Sequence, residues 1–77
     1  MAIYSRGYQE GSFKGFCWEM DRGRFDVPGF QQALNISLRN IPATEHEEFS
    51  KGFEVGWIVG EDNAYNIQLH ASISCII

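Results

Sequence analysis

Residues 5–15 read S-R-G-Y-Q-E-G-S-F-K-G, and residues 50–60 read S-K-G-F-E-V-G-W-I-V-G. The serine and all three glycines coincide, and a basic and an aromatic residue also recur at equivalent positions. Residues four apart lie almost above one another on an α-helix, so each set of glycines forms a smooth strip. The repeat predicts two helices with packing strips made of Gly7, Gly11, Gly15, Gly52, Gly56 and Gly60.

A glycine inside a helix costs about 1 kcal/mol relative to alanine, and several such costs approach the whole stability of a small domain. Close approach of the two helices offsets this cost, because backbones without Cβ atoms gain extra dispersion contacts. A strip of this kind could instead leave room for a ligand or for the backbone of a partner. We predict an antiparallel pair of glycine-striped helices at the centre of the fold.

The remaining segments give weaker signals. Thr44 and Glu47 form a capping-box pattern at the start of the second striped helix, and Gly23 suits the C-terminal cap of the first. The segment 30–41 fits either a short helix or a strand, with helix slightly favoured. The predicted order is a helix over 3–22, a turn over 23–29, a short helix or strand over 30–41, a helix over 44–60 and a strand over 64–76.

The tail from Tyr65 to Ile77 alternates apolar and polar side chains, which is typical of a half-buried strand. A strand needs a partner for its backbone groups, either residues 33–39 or the same tail of a second subunit in a homodimer. The predicted fold class is therefore mainly α with one strand (α+β), in a single small domain of residues 1–77.

The chain of 77 residues carries a net charge of −4, distributed unevenly. Residues 1–40 have five basic and four acidic side chains, whereas residues 41–77 have one lysine and six carboxylates. There is no secretory signal and no apolar run long enough to cross a bilayer. Cys17 and Cys75 are therefore expected to be reduced thiols, and we predict a cytoplasmic protein without a membrane anchor.

No motif indicates catalysis, a metal or a cofactor. The His46-Glu47 pair lacks the second histidine that zinc proteases place four residues after the first, because that position is Ser50. The two cysteines lie far apart in sequence and have no metal-ligand or redox spacing. The glycines do not follow the pattern of a phosphate-binding loop. The sequence therefore predicts a protein that is not an enzyme.

Two charged sets are candidate binding surfaces, although each is more often a solvated helix face. The basic set in the first half could contact phosphate or RNA and consists of Arg6, Lys14, Arg22 and Arg24. The acidic set in the second half could occupy a partner's site for nucleic acid and consists of Glu45, Glu47, Glu48, Glu54, Glu61 and Asp62.

The motifs R-G-Y-Q-x-G at 6–11 and F-x-x-G-F-x-x-G-W at 49–57 resemble those of ribosome modulation factor and its small bacterial and phage-borne relatives. The resemblance covers about 11 residues at each helix. Here about 34 residues separate segments 5–15 and 50–60 and the balance is acidic, whereas the family is often basic with a shorter connection. The resemblance implies a non-enzymatic protein that docks on the ribosome and suppresses its activity.

Two functions follow as hypotheses. The first is a ribosome-associated modulator that uses the basic set. The second is an inhibitor encoded by a phage or mobile element, of the anti-CRISPR or anti-restriction type, which binds a host defence or nucleic-acid enzyme through the acidic set. In both, the partner is a macromolecule: the ribosome or a host complex that binds nucleic acid.

Overall fold

The structure, a computed structural model, describes residues 2–23 and 26–76, with side chains up to residue 70. Within these ranges there are three α-helices and one short 3-10 turn, and there is no strand. The predicted α+β class is therefore wrong. The helices are α1 (Ile3–Arg22), α2 (Val27–Leu38) and α3 (His46–Ile76), and the 3-10 turn (Ala43–Glu45) directly precedes α3.

Helices α1 and α3 pack backbone to backbone along the glycine strips. A methyl group on Gly7 would overlap the carbonyl oxygen of Phe49, and one on Gly52 would overlap that of Tyr4. The other four glycines of the repeat meet the opposite backbone in the same way. Because a glycine hydrogen occupies the place of each absent methyl, it points at a carbonyl oxygen, as in weak Cα–H···O contacts. The six glycines thus form the seam between the helices, as the repeat predicts.

The two helices run parallel, so the predicted antiparallel orientation is wrong. Gly7 lies against Phe49, near the start of α3, whereas Gly15 lies against Trp57, further along it. Contacts made from α3 show the same register, since Gly60 meets the backbone of Ser12. Each glycine of one copy therefore contacts the residue of the other copy that is equivalent to the one its counterpart contacts. The helix pair has an approximate internal twofold symmetry for this reason.

Helix α2 makes the parallel arrangement possible by carrying the chain back along α1. At its start, Gly29 lies under the ring of Trp18, near the end of α1. At its end, Lys14 Nζ donates a hydrogen bond of 2.8 Å to Ser37 Oγ. The predicted turn over 23–29 is thus shorter than expected, because Pro28 occupies the first turn of a helix, where its missing N–H is tolerated.

Helix α3 begins at His46 rather than at Thr44. No side chain caps the preceding 3-10 turn, which is closed by the Glu45 N–H donating 2.9 Å to the carbonyl of Pro42. The half-buried His46 donates from Nε2 to the carbonyl of Ile41 at 2.7 Å. The histidine therefore fixes the entry into α3, a structural task that the capping-box pattern did not indicate.

Helix α3 continues through Gly60 to Ile76, so neither the predicted end at residue 60 nor the strand over 64–76 is present. Gly60 is part of the seam, where a methyl would overlap the carbonyl of Ser12, and is therefore not a helix-ending glycine. Ala64, one turn later, is fully buried and extends the small-residue strip. Since segment 30–41 forms no strand, the tail satisfies its backbone groups within the helix.

The core lies where α2 covers one side of the α1–α3 pair. Phe49, Phe53 and Trp57 are essentially inaccessible to solvent and project from successive turns of α3. The ring of Phe30 on α2 packs against Phe53 and Trp57, with centroids 5.6 and 5.2 Å apart. Leu34 and Ile41 complete this cluster. The strong packing on this side leaves the opposite surface of α3 facing solvent.

Candidate interaction surface

An acidic face runs along the solvent side of α3 and is formed by Glu47, Glu54, Glu61 and Asp62. Seven residues are nearly two full helical turns, so the three glutamates align at intervals of about 10 Å along the axis. Gly56 and its neighbours in the seam project from the opposite side of the helix. The fold therefore assembles four members of the predicted acidic set on one face.

The charges on this face are only partly neutralised. Lys51 Nζ lies 3.3 Å from Glu47 Oε1, in an exposed pair one helical turn apart. Among the residues that the structure describes, Glu54, Glu61 and Asp62 form no salt bridge. Two places on α3, about two helical turns apart, therefore present negative charge without a bound cation from the described chain.

The other two members of the predicted acidic set lie elsewhere. Glu45 belongs to the 3-10 turn before α3. Glu48 is exposed, but six residues of α-helix place it about 120° around the axis from Glu54. Both carboxylates are near the positive end of the α3 dipole, which favours negative charge there without any binding role.

Large apolar side chains are exposed beside the acidic face. Ile58, Tyr65 and Leu69 follow the same side of α3 and are 53%, 56% and 43% exposed. Ile58 and Phe13, the latter on α1 and 69% exposed, lie opposite the glycines, and the described residues do not cover them. Protein-binding surfaces combine an apolar core with a polar rim, and apolar anchors bordered by charged residues fit that arrangement.

A groove between α2 and α3 opens beside the acidic face and has a volume of about 440 Å³. It is within the size range that accommodates a long side chain or a small ligand. Its walls combine apolar side chains with two members of the acidic face. The residues that line this α2–α3 groove are Val27, Phe30, Gln31, Glu54, Trp57, Ile58 and Glu61.

Two buried polar atoms of the groove lack full hydrogen bonds within the described residues, namely Trp57 Nε1 and Glu61 Oε2. Burial raises the pKa of the Glu61 carboxyl above the ordinary value near 4.5, and the charges of Glu19 and Asp62 raise it further. The indole N–H of Trp57 acts against this and lowers the pKa, through an interaction whose geometry falls short of a regular hydrogen bond. Sequence patterns could not reveal this site, because it depends on α2 lying beside α3.

The raised pKa of Glu61 predicts a pH-dependent effect of Glu61→Gln on stability. The folded protein holds the Glu61 proton more tightly than the unfolded chain, so the wild type loses stability as pH rises from 4.5 through the folded pKa. We expect the glutamine variant to be more stable than the wild type at pH 7 and equally stable near pH 3.5.

Urea unfolding at both pH values measures the difference for Glu61→Gln. Glu48→Gln makes the same chemical change at an exposed position of the same helix and serves as the control. A stability difference for Glu61→Gln that stays constant between the two pH values would contradict the raised pKa.

The predicted basic set is not gathered into one patch. Lys14 is half-buried, 4.0 Å from Glu10 Oε1 and hydrogen-bonded to Ser37. The guanidinium of Arg22 lies over the ring of Trp18, 4.7 Å from its centroid. Arg6 is exposed and stands about 12 Å along the axis from Lys14. Arg24 lies outside the described residues.

Among the described residues, the histidines and Cys17 do not belong to a group of potential metal ligands. His46 and His70 are on one helix, separated by about 36 Å of axial rise, and no group of three potential ligands occurs among the described residues. Cys17 is a free, half-buried thiol, and the side chain of Cys75 is not among those described. Within residues 2–23 and 26–76, no helix combines the length and apolarity that crossing a bilayer requires.

The chain matches no protein-family model, no curated protein and no solved structure.

Proposed function

We propose that this chain is a non-catalytic binding protein that docks the acidic face of α3 onto a basic macromolecular partner. The supporting observation is that Glu54, Glu61 and Asp62 lie without described cations on the same side of α3 as the exposed Ile58 and Tyr65. Charge of one sign steers association with a basic surface, and apolar anchors supply most of the binding free energy.

Rigidity is the second support for this proposal. The side of α3 opposite to the acidic face is fixed by the glycine seam, and its aromatic side chains are buried against α2. Carboxylates on such a helix keep their spacing in the free protein, so little conformational entropy is lost on binding. A rigid row of carboxylates suits a partner whose surface is shaped to bind a row of phosphates.

The class of partner that fits this chemistry is a nucleic-acid enzyme with a basic channel. The acidic face would compete with nucleic acid for that channel, as expected of an inhibitor of the anti-CRISPR or anti-restriction type encoded by a phage or mobile element. The ribosome-associated alternative has less support, because Lys14 and Arg22 of the basic set already have partners within the chain.

The proposal predicts that charge reversal on the acidic face abolishes inhibition. In a host with an active restriction or CRISPR system, expression of the wild type should raise the plating efficiency of a targeted phage. Glu54→Lys/Asp62→Lys should remove at least about 90% of this protection, because reversed charges repel a basic channel and a mismatch of several kcal/mol per interface is common.

The matched control is Asp21→Lys/Glu48→Lys, which changes the net charge equally at two exposed positions outside the acidic face. It should retain protection, and circular dichroism should show both variants folded. Equal loss in the two variants, or no protection by the wild type against any such system, would refute the proposal. Salt-sensitive co-sedimentation with ribosomes that depends on Arg6 and Arg22 would support the ribosomal alternative instead.

A further inference from the structure

The α2–α3 groove contains a feature that folding alone does not explain. Trp57 is 1% exposed, yet its indole N–H has no regular hydrogen-bond acceptor, and Glu61 Oε2 is shielded from water without a donor among the described residues. Buried polar groups without partners destabilise a protein by about 1–3 kcal/mol each. A small helical protein tolerates two such atoms most readily where a bound ligand supplies a missing hydrogen-bond partner.

The charge around the groove selects a cation as that ligand. Glu54 and Glu61 line the groove, and the charges of Glu19 and Asp62 also act on the Glu61 carboxyl. Neither glutamate of the groove pairs with a described basic residue. A donor that also carries positive charge would satisfy Glu61 Oε2 and relieve the repulsion among these carboxylates.

The shape and composition of the walls favour an arginine side chain. Val27 and Ile58 are large exposed apolar residues at the groove, and Phe30 adds an aromatic wall. The methylene stem of arginine packs on apolar surfaces, and its planar guanidinium binds carboxylates through two parallel hydrogen bonds. The Glu61 carboxyl is at the end of a partly exposed side chain, so rotation of its last torsion can present Oε2 to an entering group.

We propose that the α2–α3 groove receives an arginine side chain of the partner, with Glu61 as the primary acceptor, Glu54 as the second carboxylate and Trp57 as the residue that positions Glu61. This inference rests on the proposed docking of the acidic face and names one contact within it. In the complex, the rotated Glu61 carboxylate accepts from the Trp57 N–H as well as from the guanidinium, so that Trp57 holds the carboxylate in the orientation that faces the arginine.

The test uses the full chain labelled with ¹⁵N and three peptides, Ac-Gly-Arg-Gly-NH₂ and its lysine and citrulline equivalents. The indole N–H resonance of Trp57 reports on the groove, and the backbone amide of Ser5, ten residues before the part of α1 that meets Trp57, serves as the internal reference. The arginine peptide should shift the Trp57 resonance saturably at millimolar concentration. Citrulline, which has the same shape without the charge, should bind about tenfold more weakly, as loss of a charge-assisted hydrogen bond implies.

Variants of the chain complete the test. Glu61→Gln should weaken arginine binding about tenfold, whereas Glu48→Gln on the other side of α3 should leave it unchanged. Equal binding of the arginine and citrulline peptides, or an unshifted Trp57 resonance, would overturn the inference.

The two proposals can fail separately. If arginine does not bind while Glu54→Lys/Asp62→Lys still abolishes phage protection, the acidic face functions without the groove and only this inference fails. If arginine binds as expected but the wild type protects no phage, the groove is a cation site and the proposed inhibition fails.

Discussion

Gly11→Ala is expected to lower the free energy of unfolding by about 2 kcal/mol, although alanine is the better helix former by about 1 kcal/mol. The new methyl would lie 2.8 Å from the Cα and the carbonyl carbon of Phe53 and would overlap the carbonyl oxygen. These are backbone atoms of a packed helix and cannot rotate away. Accommodation of the methyl therefore requires α1 and α3 to separate, which weakens every contact along the seam.

Internal symmetry extends this prediction to the other helix. Gly56 is the counterpart of Gly11, and a methyl there would overlap the carbonyl oxygen of Tyr8 and lie 2.8 Å from the Ser12 nitrogen. Gly56→Ala should therefore destabilise the protein by a similar amount. The double variant should lose less than the sum of the two, because separation caused by the first methyl already makes room for the second.

Guanidinium unfolding followed by circular dichroism at 222 nm measures these effects. Ser5→Ala, at an exposed position of α1, controls for helix propensity and should change stability by no more than about 0.5 kcal/mol. If Gly11→Ala raised stability by the amount that helix propensity alone gives, the close approach of the two helices would be wrong.

The repeat in the sequence predicted the helix seam but was read with the wrong orientation. Gly52 follows Gly7 by 45 positions, and the same offset relates the residues that the two glycines contact, since Gly7 meets Phe49 and Gly52 meets Tyr4. Because Gly7, Gly11 and Gly15 meet Phe49, Phe53 and Trp57 in the same order along the chain, the two motifs run parallel. The antiparallel prediction was wrong because a middle helix was already predicted between the two copies, and such a helix, as α2 does, returns the chain so that the copies run parallel.

The alternating tail shows why a local pattern can mislead. Alternation favours a strand only if a second strand exists, and residues 33–39, the partner predicted within the chain, are taken into α2 and the turn after it. The helix leaves Tyr65, Ile67 and Leu69 about half exposed. Residues spaced two apart point to different sides of a helix, so they cannot all be buried against one neighbour. Tertiary context therefore overrode the local preference.

The binding surface could be predicted in part from the sequence. The seven-residue spacing of Glu47, Glu54 and Glu61 can be found by counting, and it places them together on any helix that spans them. The groove could not be predicted from the sequence, because its two walls belong to different helices. Its prediction would have required recognising Gly29 as the place where the ring of Trp18 packs. Charge counting also grouped Lys14 with the binding residues, although the fold uses it to join α1 to α2.

The second large effect is expected for Phe53→Ala, which should lower the free energy of unfolding by about 3–5 kcal/mol. Phe53 is fully buried, and its ring lies 5.6 Å from that of Phe30, 6.1 Å from Phe49 and 5.9 Å from Trp57. Truncation would leave a cavity at the point where α2 meets the helix pair, and loss of three ring contacts adds to the cost of the cavity.

Phe13→Ala is the matched control, because it removes the same side chain from a residue that is 69% exposed on α1. The control should change stability by no more than about 0.5 kcal/mol. In a chain of 77 residues, a loss as large as that expected for Phe53→Ala is a major part of the total stability, so its unfolding transition should move to much lower denaturant concentration. Similar effects of the two substitutions would place Phe53 outside the core, and α2 would then have no reason to cover α3 at this position. The α2–α3 groove depends on that cover, so the same result would also remove the proposed arginine site.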